Sequence, residues 1–118
     1  MSRWFITGCS TGIGHEIARA ALSAGHSVAV TARNVDSVLD FVEEFGDPAI
    51  VLPLDVTDRD QIAAAVTTTE KAFGGIDVLV NNAGYGYMAA VEEGDDAEVR
   101  KLFDTNYFGV VDTIKAVL

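Results

Sequence analysis

Thr7-Gly8-Cys9-Ser10-Thr11-Gly12-Ile13-Gly14 follows the apolar run Trp4-Phe5-Ile6 and leads into a segment with helical periodicity. A strand that turns into a helix through glycines leaves backbone N–H groups and the positive end of the helix dipole facing one crevice. Gly8 permits a turn with positive φ, Gly12 removes a Cβ that would block an anion, and Gly14 lets the helix approach the strand closely. The stretch predicts a strand–turn–helix unit with an anion site at the turn, although a plain turn can carry the same glycines.

The composition is that of one globular domain. The chain has 118 residues, of which 49% are hydrophobic and 22% are charged, so it can form a buried core. Cys9 is the only cysteine, which excludes an intramolecular disulfide and favours a reducing compartment. No apolar run approaches the roughly 18 residues that span a bilayer, and the N-terminus does not resemble a signal peptide. We expect a soluble, cytoplasmic protein.

The charge of the chain bears on its partners. The formal net charge is −10, from 18 acidic against 8 basic residues. This charge argues against nucleic acid or an anionic membrane as the main partner. It is compatible with a dinucleotide, because such a site holds a pyrophosphate largely through backbone N–H groups.

Four apolar runs predict the strands of a buried sheet: Trp4–Ile6, Val28–Thr31, Ile50–Leu54 and Ile76–Val80. They read as continuous apolar stretches, a pattern typical of parallel strands that helices cover on both faces. Right-handed crossovers then place the first strand inside the sheet. The predicted fold class is α/β, a Rossmann-type doubly wound parallel sheet in the order β-α-β-α-β-α-β-α, incomplete at its C-terminal end.

Residues at helical spacing lie between and after the strands. The predicted apolar faces are Ile13, Ile17, Ala20, Ala21 and Ala24 for the first helix, Val35, Val38, Leu39, Val42 and Phe45 for the second, and Ile62, Val66 and Phe73 for the third. Gly25, Gly46 and Gly74-Gly75 are expected to end these helices, and Thr57 or Asp58 to cap the third. From Asp95 or Asp96 onward the pattern predicts one long helix.

Four motifs, in this order, resemble those of the short-chain dehydrogenase/reductase family: Thr7-Gly8-x-x-x-Gly12-x-Gly14, Asp55-Val56, Asn81-Asn82-Ala83-Gly84 and Asn106-Tyr107-Phe108-Gly109. The resemblance covers the whole chain. It implies an oxidoreductase that transfers hydride between a nicotinamide dinucleotide and a small-molecule carbonyl or alcohol substrate. A non-catalytic dinucleotide-binding module, and an isomerase or dehydratase on the same scaffold, remain alternatives.

The resemblance also implies which residues contact the cofactor. Asp55 and Val56 would contact the adenine, although Asp55 could instead cap the following helix. Asn81 would tie strands together rather than touch the cofactor. The remaining expected contacts are Gly8, Ser10, Thr11, Gly12, Ile13 and Gly14 in the loop, and Asn82, Ala83 and Gly84 near the nicotinamide ribose.

Arg33 indicates which dinucleotide is preferred. A strand ending in Asp or Glu would bind a free ribose 2′-hydroxyl, but Ala32 occupies that position and Arg33 follows it. This combination resembles members that prefer NADP(H), so NAD(H) is the less favoured cofactor. Thr11 stands where the family has a second basic determinant. In the alternative interpretation, Arg33 is solvated or paired with Asp36 or Asp40.

Asn106 is the one residue predicted to take part in catalysis. It places an amide on a mostly apolar helix face, where it needs hydrogen-bond partners. The resemblance implies that it kinks the helix and holds a water behind a catalytic Lys, whereas a paired polar residue without a chemical role is the alternative.

The family's catalytic Ser and Tyr-x-x-x-Lys pair are expected beyond Leu118, because no Tyr of this chain has Lys four residues later. Residues 1–118 are therefore expected to be a dinucleotide-binding domain, truncated before the catalytic segment and inactive by itself. The resemblance implies a homo-oligomer, a dimer or a tetramer, for the full-length protein.

The other conspicuous residues carry weaker signals. His15 and His26 lie outside any cluster with ligand spacing, so no metal site is predicted. Cys9 is better interpreted as a small buried residue than as a redox switch. Tyr85-Gly86-Tyr87-Met88 could line a substrate pocket or simply pack as a loop.

Overall fold

A four-stranded parallel sheet forms the centre of the molecule in a computed structural model that describes all 118 residues. The strands are β1 (Arg3–Ile6), β2 (Ser27–Ala32), β3 (Ala49–Pro53) and β4 (Val78–Val80). Their order is β3-β2-β1-β4, and Ile6 of β1 is paired with Val30 and with Val80. The predicted parallel sheet with an internal first strand is confirmed.

Five α-helices flank or follow the sheet: α1 (Gly12–Ser23), α2 (Asp40–Phe45), α3 (Arg59–Phe73), α4 (Asp96–Phe103) and α5 (Gly109–Val117). Two 3₁₀ turns cover Val35–Val38 and Val91–Glu93, and a π turn covers Asp104–Phe108. None of the helices combines the length and the apolar character that crossing a membrane requires.

The core has two layers, one on each face of the sheet. Successive strand residues point to opposite faces, and Phe5 and Ile6 are both fully buried. Ile6 belongs to the layer under α1 and α2, whereas Phe5 belongs to the layer under α3 and α5. Because the inner strands β1 and β2 are covered on both sides, their apolar residues run without alternation, which is the pattern that predicted the fold.

The buried face of α1 differs from the predicted one. Ile13 is 73% exposed, and Ala20 and Ala24 are also exposed. The prediction began the apolar stripe at Ile13, but this side chain lies in the cleft at the carboxyl edge of the sheet. The stripe that packs on the sheet is consequently rotated on the helix and consists of Gly14, Ala18, Ala21 and Leu22.

The second predicted helix is divided into a 3₁₀ turn and the short helix α2. Asn34 Oδ1 accepts a hydrogen bond from Asp36 N, and Ser37 Oγ donates to Asn34 O, which tightens the first turn. The apolar face shifts as a result. Val38 and Phe41 are fully buried, whereas Leu39 and Val42, which were predicted to be buried, are 43% and 40% exposed.

Two features of α3 and the C-terminal helices agree with the sequence pattern. Asp58 caps α3, because its Oδ1 accepts hydrogen bonds from Asp60 N and Gln61 N, and the helix ends at Gly74 with φ of +83°. Asp95 caps α4 in the same way. The predicted single long helix is confirmed, because residues 96–117 are helical without a break and the π turn at Asp104–Phe108 lies within this stretch, between α4 and α5.

Candidate functional site

A cleft of about 440 Å³ opens at the carboxyl ends of the four strands. In parallel α/β sheets this edge is where ligands bind. All the predicted cofactor contacts except Gly12 and Gly14 line the cleft, namely Gly8, Ser10, Thr11, Ile13, Arg33, Asp55, Val56, Asn82, Ala83 and Gly84. The fold therefore brings side chains from four separate strand ends into one space.

The glycine loop has the backbone that its sequence predicts. Gly8 and Gly12 have φ of +68° and +64°, values that residues with a Cβ rarely adopt. A Cβ on Gly8 would lie 2.9 Å from Ala83 Cα, whereas one on Gly12 would meet nothing within 4 Å. Gly8 is thus required by packing against the segment after β4, and Gly12 leaves open space beside the loop.

Gly14 lies directly against the carboxamide of Asn82. A Cβ at this position would collide with Asn82 Nδ2 and with Gly8 O, and would lie 3.0 Å from Asn82 Cγ. Asn82 Nδ2 donates a hydrogen bond of 2.8 Å to Gly8 O. The absent side chain of Gly14 therefore makes room for a bond that joins the glycine loop to the end of β4.

Asn82 connects the strand ends, because the carboxamide bonded to Gly8 O belongs to it. The tie expected of Asn81 stays a prediction. Thr7 adds to the same connection, since its Oγ1 accepts hydrogen bonds from Asn82 N (3.0 Å) and Ala83 N (2.9 Å). Sequence reasoning missed Thr7, although a hydroxyl at the end of a buried strand needs partners and could have indicated this role.

The N-terminus of α1 has no capping side chain. Thr11 occupies the cap position, but its side chain accepts no hydrogen bond from the first turn, and that turn contains no acidic residue. Asp58 and Asp95, by contrast, cap α3 and α4. The first-turn N–H groups of α1 have no partner within the helix, and with the helix dipole they favour an anion at this end of the cleft.

Arg33 carries the basic side chain of the cleft. It follows β2, is exposed, and is absent from the ion pairs of the chain, so the proposed pairing with Asp36 or Asp40 does not occur. Ala32, at the end of the strand, is only 2% exposed. Arg33 can therefore interact with a ligand without first breaking an ion pair.

Asp55 lines the cleft at the end of β3 and is ionised. Its Oδ1 accepts hydrogen bonds from Thr57 Oγ1 (2.7 Å) and Thr57 N (3.0 Å). These bonds, the side-chain bond above all, hold the pKa of Asp55 below its ordinary value, and the charge of Arg33 adds to the effect. Because Asp58 caps α3, the alternative in which Asp55 serves as that cap is wrong.

Asn106 holds the backbone of Tyr85. Its Oδ1 accepts a hydrogen bond from Tyr85 N (3.1 Å) and its Nδ2 donates one to Tyr85 O (2.7 Å). Asn106 is exposed, as are the apolar side chains of Phe103, Tyr107 and Phe108 near it in the chain. It sits inside the π turn and outside the residues that line the cleft, and its contact with the cleft runs through Tyr85.

The segment Tyr85-Gly86-Tyr87-Met88 was predicted either to line a substrate pocket or to pack as a loop, and its residues differ in this respect. Tyr85 lines the cleft. Tyr87 has a loop-packing contact, because its hydroxyl oxygen accepts a hydrogen bond from Asp95 N at 3.1 Å. Met88 is 99% exposed and contributes to neither.

Cys9 is a buried thiol behind the loop. Its Sγ–H donates to Ile6 O at 3.3 Å, and burial raises the pKa of the thiol to about 11. A thiol with this pKa is protonated at neutral pH, which agrees with the interpretation of Cys9 as a small core residue.

We expect the titration of Cys9 to lower the stability of the fold at alkaline pH. The pKa is 9.0 in the unfolded reference and about 11 in the folded chain. The contribution of the neutral thiol is therefore complete below pH 9 and is lost as the pH rises toward 11, a change of about 2–3 kcal/mol. Urea unfolding of the wild type and of Cys9→Ala at pH 8 and 10.5 measures the difference. Equal pH dependence in the two proteins would disprove this role.

The comparisons with known proteins agree with this geometry. Residues 3–118 match the family model described as short chain dehydrogenase. Oxidoreductase BOA17 of Botryotinia fuckeliana (strain B05.10) is 46% identical over 116 residues, which are 98% of this chain and 42% of that protein.

Two solved structures are similar in fold and sequence. A short-chain dehydrogenase from Streptomyces avermitilis has a TM-score of 0.95 and 38% identity, over 99% of this chain and 44% of the other. An alcohol dehydrogenase from the archaeon Thermococcus sibiricus, complexed with 5-hydroxy-NADP, has a TM-score of 0.93 and 34% identity, over 99% and 52%. The chain thus spans about half or less of the length of these relatives.

Proposed function

Because the chain belongs to the short-chain dehydrogenase/reductase family of oxidoreductases, we propose that it forms the NADP(H)-binding domain of an enzyme that interconverts carbonyl and alcohol groups. The substrate in this proposal is a small molecule. The domain comprises residues 1–118, and the catalytic Ser and the Tyr-x-x-x-Lys pair are contributed from outside these residues.

The observation that carries the proposal is the uncapped N-terminus of α1 in a cleft that also contains Arg33 and Asp55. The first-turn N–H groups suit a pyrophosphate, which needs hydrogen-bond donors and a positive dipole. The open space beside Gly12 admits that group, because no side chain occupies it. The ionised Asp55 carboxylate suits the amino group of adenine. The residues present therefore fit the dinucleotide.

Arg33 supports the phosphorylated form of the dinucleotide. A guanidinium pairs well with a phosphate, and Arg33 has no competing ion pair. Ala32 offers no carboxylate to bind a free 2′-hydroxyl, so NAD(H) is the weaker ligand in this proposal. The solved relative from Thermococcus sibiricus is complexed with 5-hydroxy-NADP, which is consistent with a preference for NADP(H).

In this proposal the residues of the chain position the cofactor and the substrate for the reaction. The bound nicotinamide supplies hydride chemistry. Asn82, Ala83 and Gly84 follow β4, line the cleft and would orient the nicotinamide ribose. Asn106 is the proposed link to catalysis, because it fixes the Tyr85 backbone where the substrate would approach. A slight displacement of Tyr85 would alter the alignment of the reacting groups, on which the rate depends.

Calorimetric titration of the chain with NADPH and NADH tests the proposal. We expect saturable binding of NADPH, at least about tenfold tighter than that of NADH, since one charge-assisted hydrogen bond contributes about 1.5–3 kcal/mol. No heat or fluorescence change at millimolar NADPH, from a sample whose circular dichroism shows a folded chain, would refute dinucleotide binding. Turnover of a panel of carbonyl compounds by the whole protein then separates an enzyme from a non-catalytic binding module.

We further propose that the whole protein is a cytoplasmic homo-oligomer. Apolar side chains remain partly exposed along α4, the π turn and α5, and they are Val99, Phe103, Tyr107, Phe108 and Ile114. A second copy could cover this surface. The single cysteine favours a reducing compartment. A monomeric mass from light scattering of the whole protein would oppose the oligomer.

A further inference from the structure

The two oxygens of the Asp55 carboxylate have different surroundings. Oδ1 accepts two hydrogen bonds from Thr57, one from its hydroxyl at 2.7 Å and one from its backbone N at 3.0 Å. Oδ2 accepts none from the chain. The carboxylate is therefore held through one oxygen, and the other remains available to a ligand in the cleft.

The backbone of Asp55 is held as well, through a residue of α3. Gln61 Oε1 accepts a hydrogen bond of 2.8 Å from Asp55 N. The backbone N of Gln61 in turn donates to Asp58 Oδ1, the cap of the helix, at 3.2 Å. The peptide that carries Asp55 is consequently attached to the first turn of a 15-residue helix.

An ionised carboxylate oxygen can only accept hydrogen bonds. It binds the amino group at position 6 of adenine, which donates, and it opposes the carbonyl at the same position of hypoxanthine, which also only accepts. The selectivity depends on holding that oxygen in place, because a carboxylate that rotates freely can move away from an unfavourable neighbour. A site built to hydrogen-bond one group rejects the analogue that lacks it.

We propose that Thr57 and Gln61 are positioning residues that make the cleft selective for a 6-amino purine over a 6-oxo purine. Thr57 fixes one oxygen of Asp55 and Gln61 fixes its peptide, which leaves Oδ2 as the carboxylate oxygen without a hydrogen bond from the chain. This inference rests on the proposed NADP(H) function and goes beyond it, since it assigns the base selectivity to two residues outside the cleft lining.

The test compares NADPH with its hypoxanthine analogue, in which a carbonyl replaces the 6-amino group. We expect the wild-type chain to bind NADPH about tenfold more tightly than the analogue. Thr57→Val removes only the hydroxyl bond, and Gln61→Met removes only the acceptor for Asp55 N. Each variant is expected to reduce the affinity ratio by about threefold or more. Gln61→Glu keeps an acceptor at this position and is expected to restore the ratio.

The ratio of the affinities for NADPH and its hypoxanthine analogue separates a positioning role from a general loss of structure, because a loosened fold weakens the binding of both dinucleotides alike. Thr67→Val is the matched control, an identical substitution at an exposed position of α3 away from the cleft, and it should leave the ratio unchanged. Ratios in Thr57→Val and Gln61→Met equal to that of the wild type would overturn this inference while leaving NADPH binding intact. Failure of the wild type to bind NADPH would overturn the inference together with the proposed function.

Discussion

Replacing Gly14 with Ala is expected to lower the free energy of unfolding by about 2–4 kcal/mol. Helix propensity alone would predict a gain of about 1 kcal/mol, because alanine is the better helix former. The local packing outweighs this gain. A Cβ at position 14 would collide with Gly8 O and with the Asn82 carboxamide, so the Asn82–Gly8 hydrogen bond would break or the loop would move.

Urea unfolding followed by the fluorescence of Trp4, the only tryptophan, measures this loss. Gly86→Ala is the matched control, because a Cβ there meets nothing within 4 Å and its φ is not positive. It should change the stability by less than about 0.5 kcal/mol. If Gly14→Ala were as stable as the wild type, the close contact between α1 and the end of β4 would not contribute to folding.

Replacing Arg33 with Ala is expected to weaken NADPH binding about 10–100-fold and to leave NADH binding nearly unchanged. The estimate follows from the loss of a charge-assisted hydrogen bond worth about 1.5–3 kcal/mol. Only NADPH carries the ribose 2′-phosphate that the Arg33 guanidinium would bind. Competitive titration with both dinucleotides gives the two dissociation constants from which the preference is calculated.

Arg59→Ala controls for the change in net charge. Arg59 is exposed, pairs with Asp112 at 3.1 Å and lies outside the cleft lining, so its removal should not alter the preference. The double variant Ala32→Asp, Arg33→Ala is expected to shift the preference to NADH. Because Ala32 is only 2% exposed, a carboxylate there costs stability unless the ribose hydroxyls pair with it, which makes the single variant the cleaner test. An unchanged preference in both variants would rule out Arg33 as the determinant.

The sheet was predictable because its signal is carried by consecutive residues. Val28 and Ala29 lie on opposite faces and are both fully buried, so neighbouring positions are apolar and the strand is evident without knowledge of its partners. The ends of the helices were predictable for a similar reason. Asp58 and Gly74 act through the backbone within a few residues of themselves.

The helix faces were less predictable. Ile13 continues the apolar spacing of α1, yet it lies in the cleft, because the helix begins at the carboxyl edge of the sheet. In the second helix, the hydrogen bonds of Asn34 tighten the first turn and rotate Phe41 into the core at the expense of Val42. Apolar periodicity identifies a helix, but the orientation of that helix depends on how its first turn is tied to the rest of the chain.

The amino-acid sequence by itself determined the four strands, the glycine turn and the position of Arg33 after the second strand, because these depend on continuous apolar runs and on backbone conformation among near neighbours. Only the tertiary structure decided that the Asn82 carboxamide joins the end of β4 to the glycine loop, a hydrogen bond between residues 74 positions apart that depends on where β4 lies relative to β1 and α1. The bonds that hold Asp55 are shorter in range, because Thr57 and Gln61 lie two and six residues after it. A carboxamide or hydroxyl has the same chemistry at any position, so its partner follows from the packing of the elements and not from the residue type.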